Sequence, residues 1–243
     1  MTVFDLPRGE IFGIDTVDIV LDPAPHPFLV GKDDVVAAHW DRALAANPAL
    51  FNGEVVLLSR LVHREGRMEG RCHPVSYAQF LYWRGRRPVA SAEHAYAHAV
   101  LVAADNTLVP IRMASHTINA GLVYFAAGSF EPVDFPGGRA DVDLNMRREV
   151  MEETGIDLSQ CRAEKRLHGL SLATGTVLFR RYFADLPGDE LAEAIRHHAA
   201  NGGDDEIADA VVIRKDEQLP EGLAFHMPAL IDWHFSTPVM SES

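Results

Sequence analysis

The run from Asp141 to Ile156, DVDLNMRREVMEETGI, contains Arg148-Glu149-Val150-Met151-Glu152-Glu153-Thr154-Gly155-Ile156. In a helix, Glu149, Glu152 and Glu153 stand at i, i+3 and i+4, so their carboxylates share one face. Like charges at that spacing repel by roughly 0.2–0.5 kcal/mol per pair, and no Lys four residues on relieves them. A bound cation removes the repulsion, and an oxygen-only donor set suits a hard divalent ion, Mg²⁺ or Mn²⁺. Leu144, Val150 and Met151 offer an apolar side on which the helix can pack, and Gly155 is placed to end it. The bland alternative, a solvated acidic helix ended by glycine, accounts for most generic E-x-x-E-E strings. The longer string arises by chance roughly once in tens of thousands of chains of this length.

Upstream lies Gly128-Ser-Phe-Glu-Pro-Val-Asp134, with five residues between Gly128 and Asp134. Between Asp134 and the helix come Pro136, Gly137 and Gly138, turn residues that lengthen a loop. Together the two stretches resemble the signature of the Nudix hydrolases, Gly-x5-Glu-x7-Arg-Glu-U-x-Glu-Glu-x-Gly-U, with U a bulky aliphatic. The second half matches at every position, Val150 and Ile156 being the aliphatics. In the first half Asp134 stands where the family has Glu, and thirteen residues rather than seven precede Arg148.

The resemblance implies an α/β (α+β) fold of the Nudix type, an α/β/α sandwich with a mixed sheet over residues 93–243. A small α+β N-terminal extension over residues 1–92 would select the substrate. It implies a pyrophosphohydrolase acting on the phosphoanhydride bond of a nucleoside-diphosphate-linked small molecule, with Mg²⁺ or Mn²⁺ as cofactor. Glu149, Glu152 and Glu153 would be metal ligands or base, with Asp134 a further ligand. Arg148 would orient Glu149 through an ion pair. Family members often place one more carboxylate ahead of a late strand, and in Gly202-Gly203-Asp204-Asp205-Glu206-Ile207 the first choice is Glu206 and the second Asp205. Gly128 and Glu131 fall in the substrate-side loop.

Patches of the N-terminal half, Trp40-Asp-Arg42 with Asn47-Pro-Ala-Leu-Phe-Asn-Gly53 and Ser76-Tyr77, resemble enzymes of this family that split UDP-glucose and UDP-galactose. That makes a nucleotide sugar the leading substrate, with Tyr77 a candidate to stack on it. Taken together, Tyr77, Phe80, Tyr82 and Trp83 read as core aromatics more readily than as a base-stacking platform. ADP-ribose or coenzyme A pyrophosphatases, and a silent Nudix-fold sensor, are the rival readings. A second copy of the chain, in a homodimer, is the one protein partner expected.

The chain's 243 residues give ample core, and Lys plus Arg is 22 against 35 acids, a net charge of −13. That balance argues against nonspecific nucleic-acid or anionic-membrane binding, which needs basic patches. Cys72 and Cys161 form no metal motif, and no run is long enough for a membrane span. A cytoplasmic protein is the expectation. Adjacent His197 and His198 diverge on a helix and read as ordinary residues.

Period and punctuation predict a strand over 11–21, a helix over about 33–46, and a hairpin turning at Glu65-Gly66. An aromatic helix over 76–83 and a hairpin turning at Asp105-Asn106 follow. After the Glu-rich helix come a hairpin near Thr174-Gly175, helices over 191–200 and 229–235, and a strand over 207–213.

Overall fold

The computed structural model describes residues 3–203 and 205–237; Asp204 of the Gly-Gly-acidic string and residues 238–243 of the expected second domain lie outside them. Among the described residues the elements run β1 Phe4–Asp5, β2 Ile11–Ile14, β3 Thr16–Leu21, α1 Asp33–Ala46, β4 Glu54–Arg64, β5 Arg67–Ser76, α2 Tyr77–Arg84 and β6 Ala95–Val102. They continue with β7 Ile111–Met113, β8 Val123–Tyr124, α3 Val142–Thr154, β9 Arg162–Ala163, β10 Leu167–Leu172, β11 Gly175–Phe183, α4 Gly188–Ala200, β12 Ile207–Ala210 and α5 Met227–Ser236. Parallel and antiparallel pairs occur side by side, so the fold is a mixed α/β one, as expected.

The chain divides into two compact units that alternate along the sequence. One takes residues 1–97, 128–145 and 166–178; the other takes 98–127, 146–165 and 179–243. The expected boundary lies near residue 92, and the first break falls at residue 97. The later segments group with the N-terminal unit because their backbones bond to it: Val56 N donates to Phe130 O, and Ala140 N to Ile19 O, both at 2.9 Å.

In the first unit, β1-β4-β5-β3 form one sheet. The β4–β5 hairpin turns through Glu65 and Gly66, both at positive φ (49° and 76°), the backbone a tight two-residue hairpin requires. The expected strand over 11–21 is two strands. Asp15 N and Thr16 N both donate to Gly66 O, which turns the chain there. β2 then pairs antiparallel with β10, and β3 runs parallel to β5. The inserted stretch after Asp134 is not a bare loop: Arg139 bridges to Val20 on the outer side of β3 and pairs with Asp18.

Leu57, Val75, Phe80, Tyr82, Trp83 and Ala92 form an apolar cluster between helix and sheet. Tyr77 packs against that cluster, stacked on Phe80 at 5.9 Å and edge-on to Trp40 at 6.4 Å. α2 begins with a capping box: Ser76 Oγ accepts from Gln79 N, and Ser76 N donates to Gln79 Oε1.

In the second unit, β12-β7-β8 form a small antiparallel sheet. α4 starts where Asp105 Oδ1 accepts from Gly188 N at 3.2 Å and from Thr107 Oγ1 at 2.7 Å. No helix among the described residues is long and apolar enough to cross a membrane.

Candidate active site

α3 forms over 142–154 and stops at Gly155, whose φ of 71° is the left-handed conformation a helix-ending glycine supplies. Its buried stripe is unusual in content. Val142, Met146 and Val150 recur at i, i+4 and i+8, and beside them, at the same spacing, run Asn145, Glu149 and Glu153. Glu149 is 8% and Glu153 6% exposed, whereas Glu152 lies on the open side with Met151. The sequence reading put Met151 on the packing side. In the structure it is 44% exposed, because the turn of the helix carries 151 away from the 142–146–150 row.

A buried carboxylate is costly unless it is paired, and the structure pairs both glutamates within the second unit. Arg148 Nη2 lies 2.7 Å from Glu149 Oε1, and Arg148 Nη1 lies 3.2 Å from Glu152 Oε2. One guanidinium therefore reaches two of the three carboxylates, which meets the repulsion that the bare string implied. Glu153 Oε2 accepts from Ala127 N at 2.9 Å, a bond of about 1.5–3 kcal/mol for a charged acceptor. It ties the exit of the β8 segment to α3.

Asp134 belongs to the first unit and is fully buried. Its Oδ2 accepts from Glu131 N and from Asn145 Nδ2, each at 2.9 Å, and its backbone O accepts from Asp141 N at 2.8 Å. Asp134 thus organises the loop between Glu131 and the first turn of α3. Gly128 and Glu131 sit half-buried at the head of that same loop. Tyr77 stands in the aromatic cluster of the first unit.

Glu206 is exposed, and its backbone O accepts from Ala114 N at 2.7 Å. Asp205 reaches towards His116 at 3.8 Å. A residue that sequence reasoning dismissed does enter this region. His198 of α4 places Nε2 3.2 Å from the Glu152 carbonyl O, at the C-terminal end of α3. Nothing in a His-His pair signals such a role; the adjacent glycines at 202 and 203 are the only hint.

The donor set on α3 is all carboxylate oxygen, the chemistry that Mg²⁺ or Mn²⁺ takes. Among the described residues, no group of three or more His, Cys, Asp or Glu side chains is gathered as it would be around a metal ion. Arg148 already draws on Glu149 and Glu152, so a divalent ion at these oxygens competes with the guanidinium.

No family model matches the chain, and no curated protein matches it. Solved structures do. The MutT protein from Methanosarcina mazei Go1 is 15% identical with a TM-score of 0.39, over 59% of this chain and 94% of its own. The ORF135 protein of E. coli is 16% identical with a TM-score of 0.37, over 62% of this chain and 98% of its own. A bifunctional NMN adenylyltransferase/ADP ribose pyrophosphatase from Francisella tularensis, complexed with AMP and Mn ion, is 13% identical with a TM-score of 0.43. That match covers 65% of this chain and 46% of the other. With each of these TM-scores below 0.5, the likenesses carry no functional argument.

Proposed function

We propose that the chain is a divalent-metal-dependent hydrolase of phosphoanhydride bonds in a nucleoside diphosphate linked to another moiety. One observation carries the reading: the string Arg148-Glu149-x-x-Glu152-Glu153-x-Gly155 lies on a single helix that buries two of its three glutamates and ends at that glycine. A helix meant only to be solvated has no reason to bury Glu149 and Glu153, since each requires a dedicated partner.

Glu149, Glu152 and Glu153 would hold Mg²⁺ or Mn²⁺, which when bound neutralises charge on the phosphate oxygens and acidifies a water. Glu149, held by Arg148, takes the proton of the attacking water as its oxygen bonds to phosphorus. The bond from that phosphorus to the bridging oxygen breaks, and the leaving phosphate carries the electron pair. Glu153, held at Ala127 N, keeps the helix end in register with the β8 exit. Glu206 is the candidate for a further acidic group in this chemistry.

The linked moiety is read as a sugar, with UMP and a sugar 1-phosphate as products of a UDP-sugar. The patches at 40–53 and 76–77 support this, since discriminating the moiety takes residues beyond those that hold the diphosphate. The test is a panel of UDP-glucose, UDP-galactose, ADP-ribose, coenzyme A and nucleoside triphosphates at equal concentration with Mg²⁺ or Mn²⁺. Release of UMP from a UDP-sugar, abolished by EDTA, is expected. Preference for ADP-ribose or coenzyme A refutes the sugar; full turnover in excess EDTA refutes the metal.

A further inference from the structure

The last four carbonyls of a helix have no partner within it, and the Glu152 carbonyl is among these in α3. The atom that meets it comes from another helix: His198 Nε2, at 3.2 Å. A carbonyl can only accept, so Nε2 carries the hydrogen and donates. The ring is also fitted between two glycines. A Cβ on Gly155 would lie 2.6 Å from His198 Nδ1, and one on Gly203 would lie 2.6 Å from His198 Cδ2. Gly203 N closes the arrangement by donating to His198 O at 3.1 Å, as does Asn201 N. The same half-buried side chain therefore touches the end of the Glu-bearing helix and the Gly202-Gly203 turn that follows α4. Further on, Glu206 O accepts from Ala114 N beside β7. All these residues lie in the second unit.

We propose that His198 is a positioning residue that latches the Gly202-Gly203 turn to the C-terminal end of α3, and so sets Asp205 and Glu206 relative to Glu149, Glu152 and Glu153. The catalytic consequence rests on the hydrolase reading; the latch itself does not. Two glycines flank the ring because any side chain at either place would push it out. Gly155 is needed twice over, for its positive φ and for its lack of Cβ. At Gly203 space is the reason, as a Cβ there would also meet His198 O at 2.7 Å.

The test uses the full chain with His198→Ala, His198→Gln and Gly203→Ala, read by amide hydrogen exchange, Mn²⁺ binding and turnover. Loss of the hydrogen bond to the Glu152 carbonyl, and of the ring that packs on Gly203, should speed exchange roughly tenfold in two places at once, at 154–157 and at 202–203, and leave the β4–β5 hairpin unchanged. His198→Gln, whose amide can still donate to the Glu152 carbonyl, should restore protection at 154–157. Gly203→Ala, with the imidazole displaced, should reproduce the His198→Ala pattern. In turnover the expected change is a lower kcat with KM for substrate little altered. Faster exchange in only one segment, or spread uniformly over the chain, overturns the latch. If the wild-type chain hydrolyses no substrate in the panel, the hydrolase reading fails, while exchange in the two segments still decides the latch.

Discussion

Three glutamates that look equivalent in the string separate once their surroundings are known. Glu149 is buried against Arg148, Glu153 is buried against a backbone amide, and Glu152 stands outside with 56% of its side chain exposed. Glu149→Gln should therefore lower kcat by on the order of 10² or more, whereas Glu152→Gln should weaken Mn²⁺ affinity with a smaller loss of rate. Steady-state kinetics over a metal titration separate the two, and equal losses would refute the ranking. Asp134→Ala should act differently again. Removing a buried acceptor shared by Glu131 N and Asn145 Nδ2 should cost about 1–3 kcal/mol of stability, seen as a lower denaturant midpoint. The identity and spacing of these carboxylates could be read directly from the sequence. The burial of Glu153 could not, because its partner, Ala127 N, arrives from a distant segment.

Helices and hairpins were legible where local chemistry dictates them. Ser76 with Gln79 announces the start of α2, Glu65-Gly66 the turn of β4 into β5, and Gly155 the end of α3. Ser76→Ala removes one half of the capping box and should destabilise the chain by about 1 kcal/mol; an unchanged melting curve would mean that packing of Phe80 and Trp83 alone holds the helix. The division of 11–21 into two strands was not legible. It is imposed by Gly66 O, a partner some fifty residues away that captures two successive amides. At the start of α1, Lys32 occupies the cap position without a side-chain bond, and Asp33 and Asp34 fall inside the first turn, where their charge favours the helix N-terminus.

Across the molecule, several histidines are buried as neutral rings. Burial is the chief cause that brings His26, His98 and His234 down to about 4, against ~6.5 in an unfolded chain. Between these values the unfolded state binds protons that the folded state refuses. Stability is therefore complete above about pH 6.5 and is lost as pH falls towards 4. For His98, at 1% exposure, the loss of stability runs through the window between these two values. Denaturant midpoints at pH 7, 6 and 5 should decline accordingly, and a flat profile would contradict neutral burial. Mixed α/β architecture was legible in the order of strands and helices. The alternation of the two units was not, since segments 128–145 and 166–178 rejoin the first one through backbone bonds that leave no local mark.

The stretch between Asp134 and α3 has a bearing on how copies of the protein behave in concentrated solution. β3 ends the order β1-β4-β5-β3, and an uncovered outermost strand is a template onto which a second chain can add. Ala140 N on Ile19 O, the Val20–Arg139 bridge and the Arg139–Asp18 ion pair occupy that template from within the chain itself. Val20 stays 37% exposed beside it, a hydrophobe that would reward sheet growth from one molecule to the next. Shortening this stretch by six residues should leave the helix string intact yet make the protein polymerise more readily than the intact chain, visible as early-eluting material and thioflavin-positive aggregates.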